Sequence, residues 1–134
     1  MAALTAQQLV QLAADFNGLA NLDRSILNDP SIDLPPTAAD ALTAHLTNLS
    51  DVAANLATLG AQVAFGDSDA AFERISDATQ QANTTVARLQ GTVAKINSIV
   101  NILGAAVSLG VAFGTGNVPA ILGAADKLRQ AAQS

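Results

Sequence analysis

Apolar side chains recur along this chain at steps of three and four, with polar residues between them. Leu4, Leu9, Leu12, Phe16, Leu19, Leu22 and Ile26 fall on one face of a 3.6-residue spiral, which predicts a first helix from about Thr5 to Leu27. The stretch NDPSIDLPPT interrupts it, because Pro30, Pro35 and Pro36 lack the amide donor and constrain the residue before each. A second stripe follows in Leu42, Leu46, Leu49, Val52, Leu56, Leu59 and Val63. It predicts a helix capped by Thr37 and ended near Phe65 and Gly66. The two helices form an N-terminal hairpin over residues 1–66.

The third pattern is the longest. From Phe72 the apolar or small positions run Ile75, Thr79, Ala82, Val86, Leu89, Val93, Ile96, Val100, Leu103 and Val107, alternating three and four without a slip. Such a heptad-type seam belongs to coiled-coil-like packing at a shallow angle. Taken as continuous through Gly91, it predicts one helix within residues 67–114, roughly 65 to 70 Å long at 1.5 Å per residue. The first two helices reach about 35 and 45 Å by the same rise. They are too short to cover it. GTGN then turns the chain, Pro119 suits a first helical turn, and Ala120 to Ala132 form a short return helix within residues 115–134. The fold class is all-α: a single-domain, up-and-down bundle of four helices with a long third helix and a short C-terminal return helix.

Composition changes the picture in one respect. Charged residues make up 13% of the 134, against roughly 25% in ordinary soluble domains, while 50% are hydrophobic. More surface is therefore expected to be covered than one small monomer covers alone. The run from Ile96 to Ala125 carries no charge at all. Within it Ile99, Val100, Ile102, Leu103, Val107, Leu109, Val111 and Phe113 point around the whole helix, as in a helix surrounded on all sides. Gly104, Gly110 and Gly114 allow close helix approach, and Asn101 and Ser108 are expected to bond to backbone or to one another.

Three readings of that region follow. In the first it is covered by protein, either as a buried central helix or at an interface with another copy or a partner protein. The association face then comprises Ile99, Ile102, Leu103, Val107, Leu109, Gly110, Val111, Phe113, Gly114, Ile121 and Leu122. In the second the same hairpin enters a membrane, with Gly110 and Gly114 as a small-xxx-small pair. An amphipathic bundle bearing an uncharged Gly/Ala-rich hairpin resembles the plan of α-helical pore-forming toxins, an analogy of architecture with no residue-level motif behind it. Length opposes a permanently inserted hairpin. About 18 uncharged residues lie between Lys95 and Gly114, and Val118 to Ala125 spans about 12 Å against a hydrocarbon core of about 30 Å. In the third a cavity between helices carries a small hydrophobic ligand.

Catalytic chemistry is not expected. His45 is the only histidine and has no partner nearby in sequence, so a surface or half-buried role outweighs that of base or metal ligand. Asp67, Asp69 and Glu73 crowd a helix start, where acids satisfy free amides and the macrodipole. A calcium loop needs its ligands spread over about twelve residues. No cofactor, metal or nucleic acid is expected, since the net charge is −5 and only six Lys and Arg could meet phosphates. Residues 1–69 hold eight acids and only Arg24, while Arg74, Arg88, Lys95, Lys127 and Arg129 follow, so the halves attract. Asn48-Leu-Ser50 and Asn83-Thr-Thr85 match the glycosylation pattern, but inside predicted helices and without an export signal. With no Sec-type leader, the expected location is the cytoplasm or outside the cell by a signal-less route. The expectation is thus a non-enzymatic protein that works by association, with membrane insertion as the alternative.

Overall fold

Each helix start shows why the chain folds where it does. The computed structural model describes residues 3–30, 32–90 and 95–133. Helix α1 (Ala6–Leu27) opens with a capping box: Gln8 N donates to Thr5 Oγ1 at 3.1 Å and Thr5 N donates to Gln8 Oε1 at 3.0 Å. Helix α2 (Pro36–Ala61) begins at the proline pair itself, with Pro35 as N-cap and no side-chain cap. Thr37 lies inside its first turn, a correction to the expected cap. Pro36 brings a helix-ready φ and a missing amide that costs nothing at that position.

Asp67 caps α3 (Ser68–Leu89) by accepting from Ala70 N at 3.0 Å. Helix α4 (Ile96–Thr115) ends at Gly116, whose φ of 69° is left-handed and favours glycine. Asn117 Oδ1 then accepts from Ala120 N at 3.3 Å, starting α5 (Val118–Gln133).

The protein is all-α, but with five helices among the described residues rather than four. The expected long third helix is two: α3 ends at Leu89 and α4 begins at Ile96. The seam positions Gly91 and Val93 lie outside the described residues. Cross-helix pairs give the directions. Arg74 meets Asp126, Asp77 meets Arg129 and Gln81 meets Gln133, so α3 and α5 run parallel. Helix α5 runs antiparallel to α4 after the two-residue turn at Gly116 and Asn117, with Ala105 and Ser108 of α4 and Ala120, Gly123, Ala124 and Lys127 of α5 lining one trough. The chain has therefore reversed between α3 and α4.

Lengths explain the reversal. At about 1.5 Å per residue α3 and α4 measure roughly 33 and 30 Å, matching α1 at about 33 Å. Folding the long segment in two removes the overhang that two short helices left uncovered. A three-and-four spacing fits two stacked amphipathic helices as well as one continuous helix, and a helical Gly91 would cost about 1 kcal/mol.

Packing closes the helices into a ring in the order α1, α2, α4, α5, α3, with α4 also touching α3 and α1 across the middle. Helix α1 is antiparallel to α2, with Leu9 against Gly60. It is parallel to α3, as Gln8–Asp69, Asp15–Thr79 and Ser25–Gln90 show. Helices α2 and α4 are parallel, with His45 at Gly104 and Val52 at Gly110. One core fills the ring, including Phe16, Leu19, Leu42, Leu49, Leu56, Ile75, Val86, Ile99, Leu103, Leu109, Phe113, Ile121 and Leu128.

Candidate functional site: the outer face of α4

Helix α4 divides its surface sharply. Ile99, Ile102, Leu103, Ala106, Leu109 and Phe113 are buried in the core. On the opposite side Asn97, Asn101, Ser108, Val111 and Thr115 are exposed, with Gly104 half-buried in the same line. That outer stripe contains no charge. Ser108 Oγ donates to Gly104 O at 3.1 Å, so its hydroxyl is turned back onto the helix.

On one flank the stripe borders a groove of about 290 Å³ between α2 and α4, lined by Val52, Leu59, Val107, Gly110, Val111 and Gly114 with Asn48, Asp51 and Asn55 at the α2 edge. Gly110 makes it shallow and tight. A Cβ there would sit 2.3 Å from Val52 Cγ2. On the other flank a trough of about 490 Å³ runs between α4 and α5, bounded by Ala105, Ser108, Ala120, Gly123, Ala124 and Lys127. Small side chains on both helices hollow it out.

The expected association face is thereby redistributed. Ile99, Ile102, Leu103, Leu109, Gly110, Phe113 and Ile121 are buried within the chain. They form core, where the surrounding helices already exclude water. Val107 and Leu122 are half-buried, and Gly114 is exposed with open space around it rather than a close helix. Val111 stands out at 63% exposure, matched among large apolar side chains by Val10 on α1 at 64%. No family model, no curated protein and no solved structure matches this chain. The site has to be read from its own residues.

Its electrostatics are spare. Asp51 and Lys127 have no ion-pair partner among the described residues, whereas Arg74 forks onto Asp126 and Arg129 lies 3.8 Å from Asp77. Both ion pairs join α3 to α5, inside the C-terminal half. The hydrogen bond from Arg74 holds the Asp126 carboxyl below its usual range, with desolvation opposing. His45 packs against Gly104, and burial lowers its pKa, so the imidazole is neutral at pH 7 with Nδ1 buried and unbonded. Among the described residues no three His, Cys, Asp or Glu side chains gather as a metal site would.

One charged group in the core escaped the sequence reading. Asp23 is 0% exposed, and neither carboxylate oxygen has a hydrogen-bond partner. Burial pushes its pKa up to about 7, with the neighbouring Arg24 charge pulling the other way. Its signal was present in the spacing: Leu9, Leu12, Phe16, Leu19, Asp23 and Ile26 alternate three and four, and Leu22 is only half-buried. Asp15 is also raised by burial, but Thr79 Oγ1 donates to it at 3.0 Å.

Proposed function

We propose that this protein acts by association, with no catalytic step: the outer face of α4, bordered by the α2 and α5 grooves, binds another copy or a partner protein. The supporting observation is Val111, a large apolar side chain left 63% exposed at the rim of an apolar groove, on a helix face without charge. Contiguous uncharged surface of this kind, edged by polar residues such as Asn48, Asp51 and Asn55, marks contact sites more often than bare solvent-facing surface.

The test is Val111→Asp, read by size-exclusion chromatography with light scattering over a wide concentration range. Because Val111 faces water, the variant keeps its fold, while a carboxylate at an interface must be desolvated without a partner. The expected result is a wild type heavier than 13.5 kDa that falls to that mass in the variant. An oligomeric wild type whose mass the substitution leaves unchanged refutes this face as the contact.

Membrane insertion is the second reading, favoured by a specific feature. Helix α4 is long and apolar enough to cross a bilayer, and a two-residue turn joins it to α5 as a hairpin. Half of that span is packed inside the bundle, so entry requires the hairpin to leave its neighbours. Leakage of anionic vesicles by the wild type, with monomeric protein throughout, selects this reading over association.

A further inference from the structure

The outer stripe of α4 runs from Asn97 to Thr115, about 27 Å at 1.5 Å per residue, with no charge along it. Among the described residues, the unpaired charges on its two sides are opposite in sign: Asp40 and Asp51 on α2, Lys127 on α5. Asp51 stands at the α2 edge and Lys127 at the α5 edge. Neither is in an ion pair with a described residue. Helix α2 carries Asp40 and Asp51 and no Lys or Arg, so nothing on that flank neutralises its charge.

Resting on the association reading, we propose that the occupant of this face is a second copy of the chain, related by a two-fold axis running along α4. Rotation about that axis lays α4 on α4 in parallel and sets α2 of each copy against α5 of the other. Asp51 then faces Lys127 of the second copy, twice over. Val52 is level with Gly110, which places Asp51 near Leu109, and Lys127 lines the same trough as Ala105 and Ser108. The two charges are thus offset by no more than about 6 Å along the axis, a gap within reach of a lysine side chain. Asp40, about three turns before Asp51 on α2, lies on the other side of that level.

The rival arrangement, with the two-fold axis across α4, makes the helices antiparallel. It sets α2 on α2 and α5 on α5, so Asp51 meets only the acids of the other α2 and forms no pair with Lys127, and like charges across an interface disfavour it. For a chain of net charge −5, whose copies repel at long range, the crossed pairs also supply the local attraction that selects this face.

Charge exchange tests the arrangement. Asp51→Lys and Lys127→Asp are made separately, their folds checked by circular dichroism, and each is weighed by sedimentation alone and in a 1:1 mixture. Both residues are exposed, so both variants keep the monomer fold. Each variant alone is expected to dimerise about tenfold or more weakly than wild type. The mixture regains dimer, because both crossed pairs become attractive again. A mixture no heavier than its components overturns the inference, as does Asp51→Lys pairing better with wild type than with Lys127→Asp. Wild-type assembly that Val111→Asp dissociates but the exchanges leave untouched overturns this geometry and leaves the association reading standing. A wild type at 13.5 kDa at every concentration overturns this inference together with the self-association it rests on, and leaves a partner protein as the occupant of the face.

Discussion

Replacing Asp23 by Asn removes a titrating group that the folded chain accommodates only when it is neutral. In the fold the carboxyl keeps its proton to about pH 7, whereas the unfolded chain releases it near 3.8. Between those values the native state binds more protons than the unfolded state, so stability falls as pH rises through that window. The contribution is fully present below about pH 4 and gone above about pH 7. A difference of about three pH units corresponds to at most about 4 kcal/mol. Arg24 and Ser25 beside it are exposed, so partial screening brings the expected effect to about 2 to 3 kcal/mol.

Asn is nearly the same size and stays neutral, so Asp23→Asn should match wild type below about pH 4 and exceed it by that amount at pH 8. Urea unfolding followed by circular dichroism at half-unit pH steps measures both chains, with equal m values required. Subtracting the two profiles removes the other titrations. Asp15, raised like Asp23, loses stability as pH rises; His45, lowered from 6.5, loses it as pH falls through that value. Parallel profiles, or a variant no more stable than wild type at pH 8, would refute the reasoning and place a donor on the Asp23 oxygens.

Two further outcomes test the packing around α4. Gly110→Ala forces its methyl to 2.3 Å from Val52 and should cost about 1 to 3 kcal/mol, while Gly114→Ala meets open space and should be neutral or stabilising by up to about 1 kcal/mol; thermal melts compare them directly. Truncating His45 to Ala loses no hydrogen bond at Nδ1 and should shift stability by less than about 1 kcal/mol, a result that calorimetry at pH 7.5 checks.

Most local signals in this chain are obeyed, the Thr37 cap being an exception. The apolar spacing marks the helical stretches though not the break between α3 and α4, Asp67 caps where a helix-start acid should, and Gly116 and Asn117 end one helix and begin the next. These are short-range effects, written in residues three or four apart, and so they can be read from the order of residues alone. The same holds for the uncharged character of α4. Even Asp23 could have been found, since its place in the three-and-four series is a matter of counting.

What counting could not reach is where the segments lie relative to one another. The seam through Gly91 is compatible with one long helix or two stacked ones. The choice is made by burial, because reversal after α3 lets α2, α3 and α5 surround α4 where a straight helix would have projected into water. That choice sends Ile99, Leu103, Leu109 and Phe113 into the core and leaves Val111 outside, a division that periodicity cannot make when apolar residues surround the whole helix. It also sets Asp51 and Lys127 on opposite flanks of one uncharged face, although 76 positions of sequence separate them. Local preference follows from neighbours in the chain; the identity of a surface depends on which distant segments compete to cover it, and only the folded packing resolves that competition.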